Sequence, residues 1–398
     1  MCTRSKFAAA ASLVTLSLLG PIPLAQAVDP DSARQAAGEA DRACNPVIQV
    51  AILLDTSGSM EGLIHQARSR IWAVVNDLGR ARKEGRRPTL QLALYQYGSD
   101  DIPGSEGFLR CVLPFTSDLD AVSERLFALR VEGSNEYCGM VLDAALRQSS
   151  WDQTPPSAPT SALPLRVLII AGNEEFTQGP TDYGLVAGRF KERGIFLNTV
   201  HCGPEDVGAR TGWLSAAHLG GGHYSSMDHA APLREVSTPF DKDLLLLNEE
   251  LNGTYVFTYG AAGREHLARQ AAQDRSNLAS SRSGMMSRVA SKVSGQYRNE
   301  QWDLVDLAES GKDIAAVPVD ELPEDLRSLT VADRKAKVDE ARSRRASIRQ
   351  RIEECDRRRR DWLREHDRHP DRAETFDSAI RKAVREQGVR CGFTFEPD

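Results

Sequence analysis

The sequence lacks the short motifs that identify several common catalytic and metal-binding classes. None of its cysteines forms a CxxC pair, which argues against a zinc cluster and against a thioredoxin-like redox site. It also contains no GxGxxG loop, no phosphate-binding P-loop and no GxSxG nucleophile elbow. We therefore expect a protein that is not an enzyme.

The sequence also has no excess of positive charge. Beyond its N-terminus it has no long apolar run. The formal net charge is -6, and removal of residues 1–27, which include Arg4 and Lys6, changes it to -8. A mildly acidic chain is a poor match for the phosphate backbone, so we expect no nucleic-acid partner. No stretch after residue 27 is apolar enough to cross a bilayer, so we expect no transmembrane segment in the mature chain.

The N-terminus has the pattern of a secretory signal peptide. Arg4 and Lys6 precede the apolar stretch FAAAASLVTLSLLG, and Ala25 and Ala27 give the small-x-small pattern of a cleavage site. The alternative, an uncleaved membrane anchor, is less favoured because the apolar run is short and rich in small residues. We expect cleavage after Ala27, a periplasmic or secreted mature protein, and a polar leader over residues 28–46.

Apolar runs alternate with helical patterns over residues 47–250. VIQVAILL at 47–54 and LRVLIIAG at 165–172 are continuous and apolar, as expected for strands buried on both faces. LQLALYQYG at 90–98 and IFLNTVHCG at 195–203 give two further strands. This alternation predicts an α/β fold with a doubly wound, mainly parallel sheet covered by helices. Such sheets bind their ligands at the carboxyl ends of the strands.

The second half of the chain has a different character. Residues 251–369 predict a mostly α-helical region, and a C-terminal tail follows over 370–398. In the charged stretch 331–369, steps of three and four residues pick out a heptad-like stripe that arginine interrupts twice. The stripe indicates a long helix that packs on its own chain, which we favour, or on a partner helix in a coiled coil. Its members are Val338, Ala341, Arg345, Ile348, Ile352, Cys355, Arg359 and Trp362.

The run RRRR at 357–360 has two interpretations. Four consecutive arginines could bind an anionic surface. Eight acidic residues, however, lie within 353–374, so a solvated helix with balanced charge is favoured.

Oxygen-bearing side chains follow the first predicted strand in a D-x-S-x-S pattern. Asp55, Ser57 and Ser59 come directly after the buried run AILL. A tight loop turns such alternate side chains towards one point. One carboxylate with two hydroxyls forms a set of hard oxygen ligands, for which Mg²⁺ is the favoured cation and Mn²⁺ or Ca²⁺ the next candidates. The competing interpretation is a cluster of helix-capping residues, since Asp, Ser and Thr all cap helices well. The position at the carboxyl end of a parallel strand favours the metal site.

The stretch AILLDTSGSMEGLIHQAR resembles the von Willebrand factor A family, and the resemblance covers roughly residues 47–250. It implies a metal-ion-dependent adhesion site made by three loops, with Asp55, Ser57 and Ser59 as ligands from the first loop. A carboxylate of a partner protein would complete the coordination of the cation. The segments AGNEEFTQGP, NTVHCGPE and WDLVDL also resemble a group of exported bacterial proteins that carry this domain and a helical tail.

The resemblance places the other two loops less directly. The second loop corresponds to VEGSNEYCG, where Ser134 is the best match and Asn135 or Glu136 would substitute if the loop is shifted. The third loop corresponds to LIIAGNEEF, which lacks the expected aspartate, so that Asn173 or Glu174 stands nearest to its position. An asparagine would be a neutral and weaker ligand, whereas a glutamate would reach further.

An even number of cysteines in an exported chain suggests disulfide bonds. In the fold that the resemblance implies, Cys138 and Cys202 should lie at the same edge of the sheet, so we favour this pair. The remaining pairs would then be Cys355–Cys391 and Cys44–Cys111. The six cysteines of the mature chain are Cys44, Cys111, Cys138, Cys202, Cys355 and Cys391.

Three functions are compatible with these patterns. The favoured one is an exported, non-enzymatic binding protein whose metal ion engages an acidic group of a partner protein. The alternative is a structural or assembly protein with a vestigial metal site, in which the helical tail carries the interaction. A metal-dependent hydrolase has the least support because the sequence offers no clear general base.

Overall fold

A computed structural model describes residues 45–230, 235–366 and 375–396 of the chain. The predicted signal peptide over 1–27, most of the predicted leader and Cys44 lie outside these described residues. Their predictions are therefore untested by the structure.

Six strands form one sheet in the order β3-β2-β1-β4-β5-β6. Strand β3 runs antiparallel to β2, and every other neighbouring pair is parallel. The predicted doubly wound, mainly parallel sheet is confirmed. The strands are β1 (Val47–Asp55), β2 (Thr89–Tyr97), β3 (Leu109–Thr116), β4 (Leu165–Gly172), β5 (Phe196–His201) and β6 (Gly221–Ser226).

The strand order reverses at β1, which fixes where a ligand site should lie. From β1 the chain goes to β2 and β3 on one side, and it then returns to β4 on the other side. The register aligns Asp55 with Tyr97 of β2, and Leu54 with Ala171 of β4. The loops that follow β1 and β4 therefore open into one crevice at the carboxyl edge, at the switch point of strand order.

Helices cover both faces of the sheet. Alternate residues of β1 point to opposite faces, so Ile52 and Leu54 belong to one apolar cluster, whereas Ala51 and Leu53 belong to the other. Helices α1 and α2 contribute to the first cluster, and α3, α4 and α6 contribute to the second. These helices are α1 (Glu61–Gly79), α2 (Leu119–Ala128), α3 (Cys138–Gln148), α4 (Tyr183–Glu192), α5 (Glu205–Arg210) and α6 (Trp213–Leu219).

The C-terminal helices pack on the face of the sheet that α1 and α2 cover. Leu244, Met286, Ile352 and Phe376 belong to the same apolar cluster as Ile52 of β1. None of the helices within the described ranges combines the length and the apolar character that a membrane span requires. The C-terminal helices are α7 (Asp241–Asn252), α8 (Gly263–Ser280), α9 (Arg282–Ser291), α10 (Leu304–Glu309), α11 (Glu324–Arg327), α12 (Val331–His366) and α13 (Phe376–Arg390).

The stripe predicted on the long helix is the buried face of α12, and it packs within the chain. Its two arginines are buried because each meets carboxylates of other helices. Arg345 lies 2.6 Å from Asp303 and 2.8 Å from Asp306, and Arg359 lies 3.0 Å from Asp241. The buried residues of α12 are Val338, Arg345, Ile348, Ile352, Cys355 and Arg359.

A second buried ion network attaches the C-terminal helices to α2. Arg288 of α9 lies 2.8 Å from Asp120 of α2 and 2.6 Å from Asp274 of α8. Lys292 lies 2.7 Å from the other oxygen of Asp274. Because removal of one partner would leave a buried charge uncompensated, this network fixes how α8 and α9 sit on the sheet domain.

Candidate metal centre

Three loops meet at the carboxyl edge of β1 and β4. The first loop (Thr56–Met60) contacts the segment before α3 through two backbone hydrogen bonds: Gly58 N donates to Gly133 O at 3.2 Å, and Glu132 N donates to Thr56 O at 2.7 Å. The third loop begins directly after Gly172, the last residue of β4. The fold therefore places all three predicted loops around the crevice.

The carboxylate of Asp55 lies at the centre of this edge and is fully buried. Its Oδ1 accepts a hydrogen bond from the backbone N–H of Ser57 at 2.8 Å, which closes the tight turn of the first loop. Its Oδ2 is buried and has no hydrogen-bond partner among the described residues. Burial raises the pKa of the Asp55 carboxyl to about 7, because a desolvated carboxylate is less stable than the neutral acid.

Two glycines make room for this carboxylate. A Cβ atom on Gly98 would lie 2.4 Å from Asp55 Oδ1, and a Cβ atom on Gly172 would lie 2.9 Å from Asp55 Oδ2. Gly98 also has a φ of 83°, a conformation that favours glycine. The Cβ of any larger residue at position 172 would in addition lie 2.2 Å from the hydroxyl of Tyr97. The ends of β2 and β4 are thus shaped around Asp55.

The structure brings Ser57, Ser59 and Asn173 together beside Asp55. The two serine hydroxyls lie 3.4 Å apart, and Asn173 Nδ2 donates to Ser59 Oγ at 3.2 Å. Asn173 Oδ1 is buried and, like Asp55 Oδ2, has no hydrogen-bond partner in the part of the chain that the structure describes. The first loop and the asparagine of the third loop therefore form one oxygen-rich group.

The side chain of Ser134 points towards Asp100 rather than towards Asp55 and the serine pair. Its backbone N–H and its hydroxyl both donate to Asp100 Oδ1, at 3.0 and 3.4 Å, and Asn135 Nδ2 donates to the same oxygen at 3.0 Å. The predicted ligand of the second loop is thus held by a residue that the sequence analysis did not single out. Asp100 lies in the turn after β2, and its only sequence signal is that it follows the carboxyl end of a strand.

Glu174 lies near the site but is engaged with the third loop itself. Its carboxylate accepts a hydrogen bond from Gln178 at 2.9 Å, and its backbone oxygen accepts one from the indole of Trp213 at 2.7 Å. Its negative charge adds to the burial effect on the pKa of Asp55. Asn173 is therefore the third-loop residue that reaches the serine pair, while Glu174 acts on Asp55 through its charge.

The predicted Cys138–Cys202 disulfide is wrong: both residues are free thiols in the structure. Both lie near the carboxyl edge, but they enter opposite faces of the sheet, because Cys138 belongs to the apolar cluster of α3 and Cys202 to that of α1. Burial raises the pKa of both thiols. Cys355 and Cys391 are free as well, so that predicted pair is also absent, and Cys111 is an exposed free thiol.

The oxygen set fits a small hard cation. Asp55 Oδ2 and Asn173 Oδ1 are acceptors without donors, and the hydroxyls of Ser57 and Ser59 lie beside them. Carboxylate, amide and hydroxyl oxygens with water in the remaining positions are the ligands that Mg²⁺ takes in proteins. Among the described residues, no group of three or more His, Cys, Asp or Glu side chains is arranged to hold a metal ion, so a cation at this edge would depend on the serine hydroxyls and the Asn173 amide as well as on Asp55.

Comparison with a family model agrees with this architecture. Residues 49–230 match the family model of the von Willebrand factor type A domain. Among solved structures, similarity is found to an aerotolerance-related membrane protein from Bacteroides fragilis NCTC 9343, with 18% identity and a TM-score of 0.31 over 46% of this chain and 92% of that one. The SpRpn10 VWA domain has 14% identity and a TM-score of 0.34, over 47% of this chain and 91% of that one.

A von Willebrand factor type A protein from Catenulispora acidiphila has 15% identity and a TM-score of 0.30, over 46% of this chain and 40% of that one. No curated protein matches the sequence. The family match begins within β1 and ends just after β6, so it contains most of β1, the other five strands and all three loops of the site. The chain therefore contains a von Willebrand factor type A domain at residues 49–230, and a helical C-terminal region follows it.

Proposed function

We propose that this chain is an exported, non-enzymatic binding protein that uses a divalent cation to engage a carboxylate of a partner protein. Von Willebrand factor type A domains are, in general, protein-interaction modules. The cation would be Mg²⁺, with Mn²⁺ and Ca²⁺ as further candidates. Asp55, Ser57, Ser59 and Asn173 would hold it, and export to the periplasm or beyond rests on the signal pattern of residues 1–27.

One observation carries the metal proposal: two buried oxygen acceptors, Asp55 Oδ2 and Asn173 Oδ1, have no hydrogen-bond donor among the described residues. Buried polar atoms in proteins are nearly always paired, and an unpaired one needs a bound ion or water to explain it. Here both belong to one loop cluster whose outermost member, Ser59, is exposed to solvent. A cation at this position would contact both oxygens and remain accessible from outside.

The charge of the site explains why a partner carboxylate would bind. Asp55 supplies one negative charge, and the serines and Asn173 supply none. A divalent cation held by one carboxylate keeps a net positive charge, which favours an anionic ligand in an open coordination position. For Ser134 to join, its hydroxyl would have to leave Asp100, to which it donates at 3.4 Å.

Titration calorimetry with Mg²⁺ and Mn²⁺ tests this proposal. The wild type should bind at one site with measurable heat, and Asp55→Ala should not. Asp325→Ala is the matched control, because Asp325 is an exposed aspartate of the short helix α11; it should bind as the wild type does. Absence of binding in the wild type, or equal binding by Asp55→Ala, would reject the metal site.

A second candidate function is favoured by the hydrogen bonds of Ser134. If Asp100 holds this serine permanently, the metal site is vestigial, and the C-terminal helices would carry a structural or assembly interaction. Partner binding would then be insensitive to a chelator and to Asp55→Ala. A metal-dependent hydrolase is the least supported function, because Asp55, whose pKa is raised to about 7, would be a metal ligand and would not be free to act as a general base.

A further inference from the structure

A cavity of about 330 Å³ lies at the amino-terminal edge of the sheet, on the opposite side from Asp55. Arg87 comes two residues before β2, which begins at Thr89 opposite Val47, the first residue of the parallel β1. The other walls come from the segment after α9 and from α10 and α12. The cavity thus lies where the sheet domain meets the C-terminal helices.

Most of the acidic groups that line the cavity are already neutralised. Arg349 pairs with Asp306 at 3.1 Å and with Glu309 at 2.7 Å. Glu300 pairs with Lys312 at 3.5 Å. Lys292, a further lining residue, pairs with Asp274 in the buried network at 2.7 Å. These pairs contribute little net charge to the cavity.

The remaining charges leave the cavity with an excess of unpaired guanidinium groups. Within the described ranges, Arg87 and Arg298 have no carboxylate oxygen within 4.0 Å, and Glu353 is the one lining carboxylate without a cation at that distance. Arg298 Nε donates to the backbone oxygen of Gly295 at 3.1 Å. Burial, followed by repulsion from Arg82 and Arg298, lowers the pKa of Arg87.

Arg349 adds a donor that the protein leaves unused. Its Nη1 and Nη2 atoms bind Glu309 and Asp306, whereas its Nε is buried and has no acceptor in the part of the chain that the structure describes. A buried donor without an acceptor is costly, and an acceptor inside the cavity would satisfy it. Three guanidinium groups therefore line a space in which, among the described residues, Glu353 is the one lining carboxylate that is not already paired.

Gly295 shows that the place of Arg87 is built into the fold. A Cβ atom at this position would lie 1.2 Å from Arg87 Nη1, and the glycine φ is 76°. Only a glycine lets the guanidinium of Arg87 lie directly over the backbone at the cavity wall. The glycine thus leaves room for this position of the Arg87 guanidinium.

We propose that this cavity, bounded by Arg87, Arg298 and Arg349, binds a small oxyanion, either a phosphate or a carboxylate group of a small molecule. Guanidinium groups present paired N–H donors that match both of these anions. The volume is at the lower end of the range for small-molecule sites, which is roughly 300 Å³ upwards. Because Arg87 belongs to the sheet domain and the other two arginines to the helical region, the bound anion also ties these two regions together.

Calorimetry with inorganic phosphate and with citrate, each at constant ionic strength in chloride buffer, tests the proposal on the full mature chain. At least one of the two anions should bind saturably, and the stronger of the two identifies the phosphate or the carboxylate class. Arg87→Ala and Arg298→Ala should each weaken binding about tenfold or more, since each removes charged hydrogen bonds to the anion. Arg275→Ala, an exposed arginine in α8, is the control and should bind as the wild type does.

Gly295→Ala provides an independent variant that keeps every charge. It should displace the guanidinium of Arg87 and weaken anion binding, with the fold checked by circular dichroism. If Gly295→Ala does not fold, Arg87→Ala and Arg298→Ala decide, because both of these side chains are exposed. The proposal is overturned if neither anion binds saturably, or if Arg298→Ala binds as tightly as the wild type. Asp55→Ala should bind the anion normally, which keeps this test separate from that of the metal site.

Discussion

Replacement of Asp55 by asparagine should stabilise the metal-free protein at neutral and alkaline pH. The pKa of the Asp55 carboxyl rises from an ordinary 3.8 to about 7 because the group is buried. Since each pKa unit corresponds to about 1.4 kcal/mol, the ionised carboxylate destabilises the metal-free fold by about 4 kcal/mol. The asparagine of Asp55→Asn is neutral at every pH and avoids this penalty.

The sign of the pH dependence follows from the raised pKa. Below pH 4 the carboxyl is protonated in both the folded and the unfolded protein, so ionisation contributes nothing to stability. Between pH 4 and 7 the unfolded chain loses the proton while the folded chain keeps it, so the free energy of unfolding of the wild type falls. Above pH 7 both states are ionised and the loss is complete.

Urea denaturation in the presence of a chelator, at pH 4.5 and pH 8, measures this effect for the wild type and Asp55→Asn. The difference in free energy of unfolding between them should shift in favour of Asp55→Asn by about 3 kcal/mol between the two pH values, because about 1 kcal/mol of the effect is already present at pH 4.5. Excess Mg²⁺ at pH 8 should then stabilise the wild type and leave Asp55→Asn unchanged. A difference that stays constant from pH 4.5 to pH 8 would refute the reasoning.

Three further predictions concern the shape of the site and the core. Gly172→Ala should abolish Mg²⁺ binding in calorimetry because its Cβ would lie 2.9 Å from the Asp55 carboxylate, whereas Gly58→Ala, with nothing within 4 Å, should bind normally. Arg345→Ala leaves the buried Asp303 without its ion pair and leaves Asp306 with Arg349 alone, and urea denaturation should show a loss of about 3–5 kcal/mol. Phe376→Ala in α13 should lose about 3–5 kcal/mol in the same assay, while the exposed Val389→Ala should lose less than about 0.5 kcal/mol.

The strands and the long helix were predictable because their patterns are local. The run LRVLIIAG gives the limits of β4, Leu165–Gly172, since a strand buried on both faces needs continuous apolar residues. The stripe on α12 likewise appears in the sequence at helical spacing. The sequence does not show why two arginines belong to this stripe. Their ion-pair partners, among them Asp303 and Asp241, lie far away in the sequence.

The site was predictable only where its residues follow one another or follow aligned strands. Asp55 and the two serines lie in one short loop, and Asn173 comes from the neighbouring parallel strand, so their convergence follows from the sheet. The orientation of the Ser134 hydroxyl depends on Asp100, a hydrogen-bond acceptor that lies 34 residues earlier and competes with the metal site. Only the folded loops bring Asp100 close to Ser134. The disulfide prediction was wrong because two residues at the same edge of a sheet can still point to opposite faces. The sequence did not show to which face the side chains of Cys138 and Cys202 point.

Binding of a protein partner through a metal ion at Asp55 is the property that separates the two candidate functions. Capture of partners from a periplasmic extract on the immobilised mature chain, with Mg²⁺ or with a chelator, tests it most directly when Asp55→Ala is run in parallel. We expect one protein to be retained by the wild type in Mg²⁺ and to be released on chelation, and Asp55→Ala should not retain it. Retention of the same protein in chelator, or equally by Asp55→Ala, would contradict it and assign the interaction to the C-terminal helices.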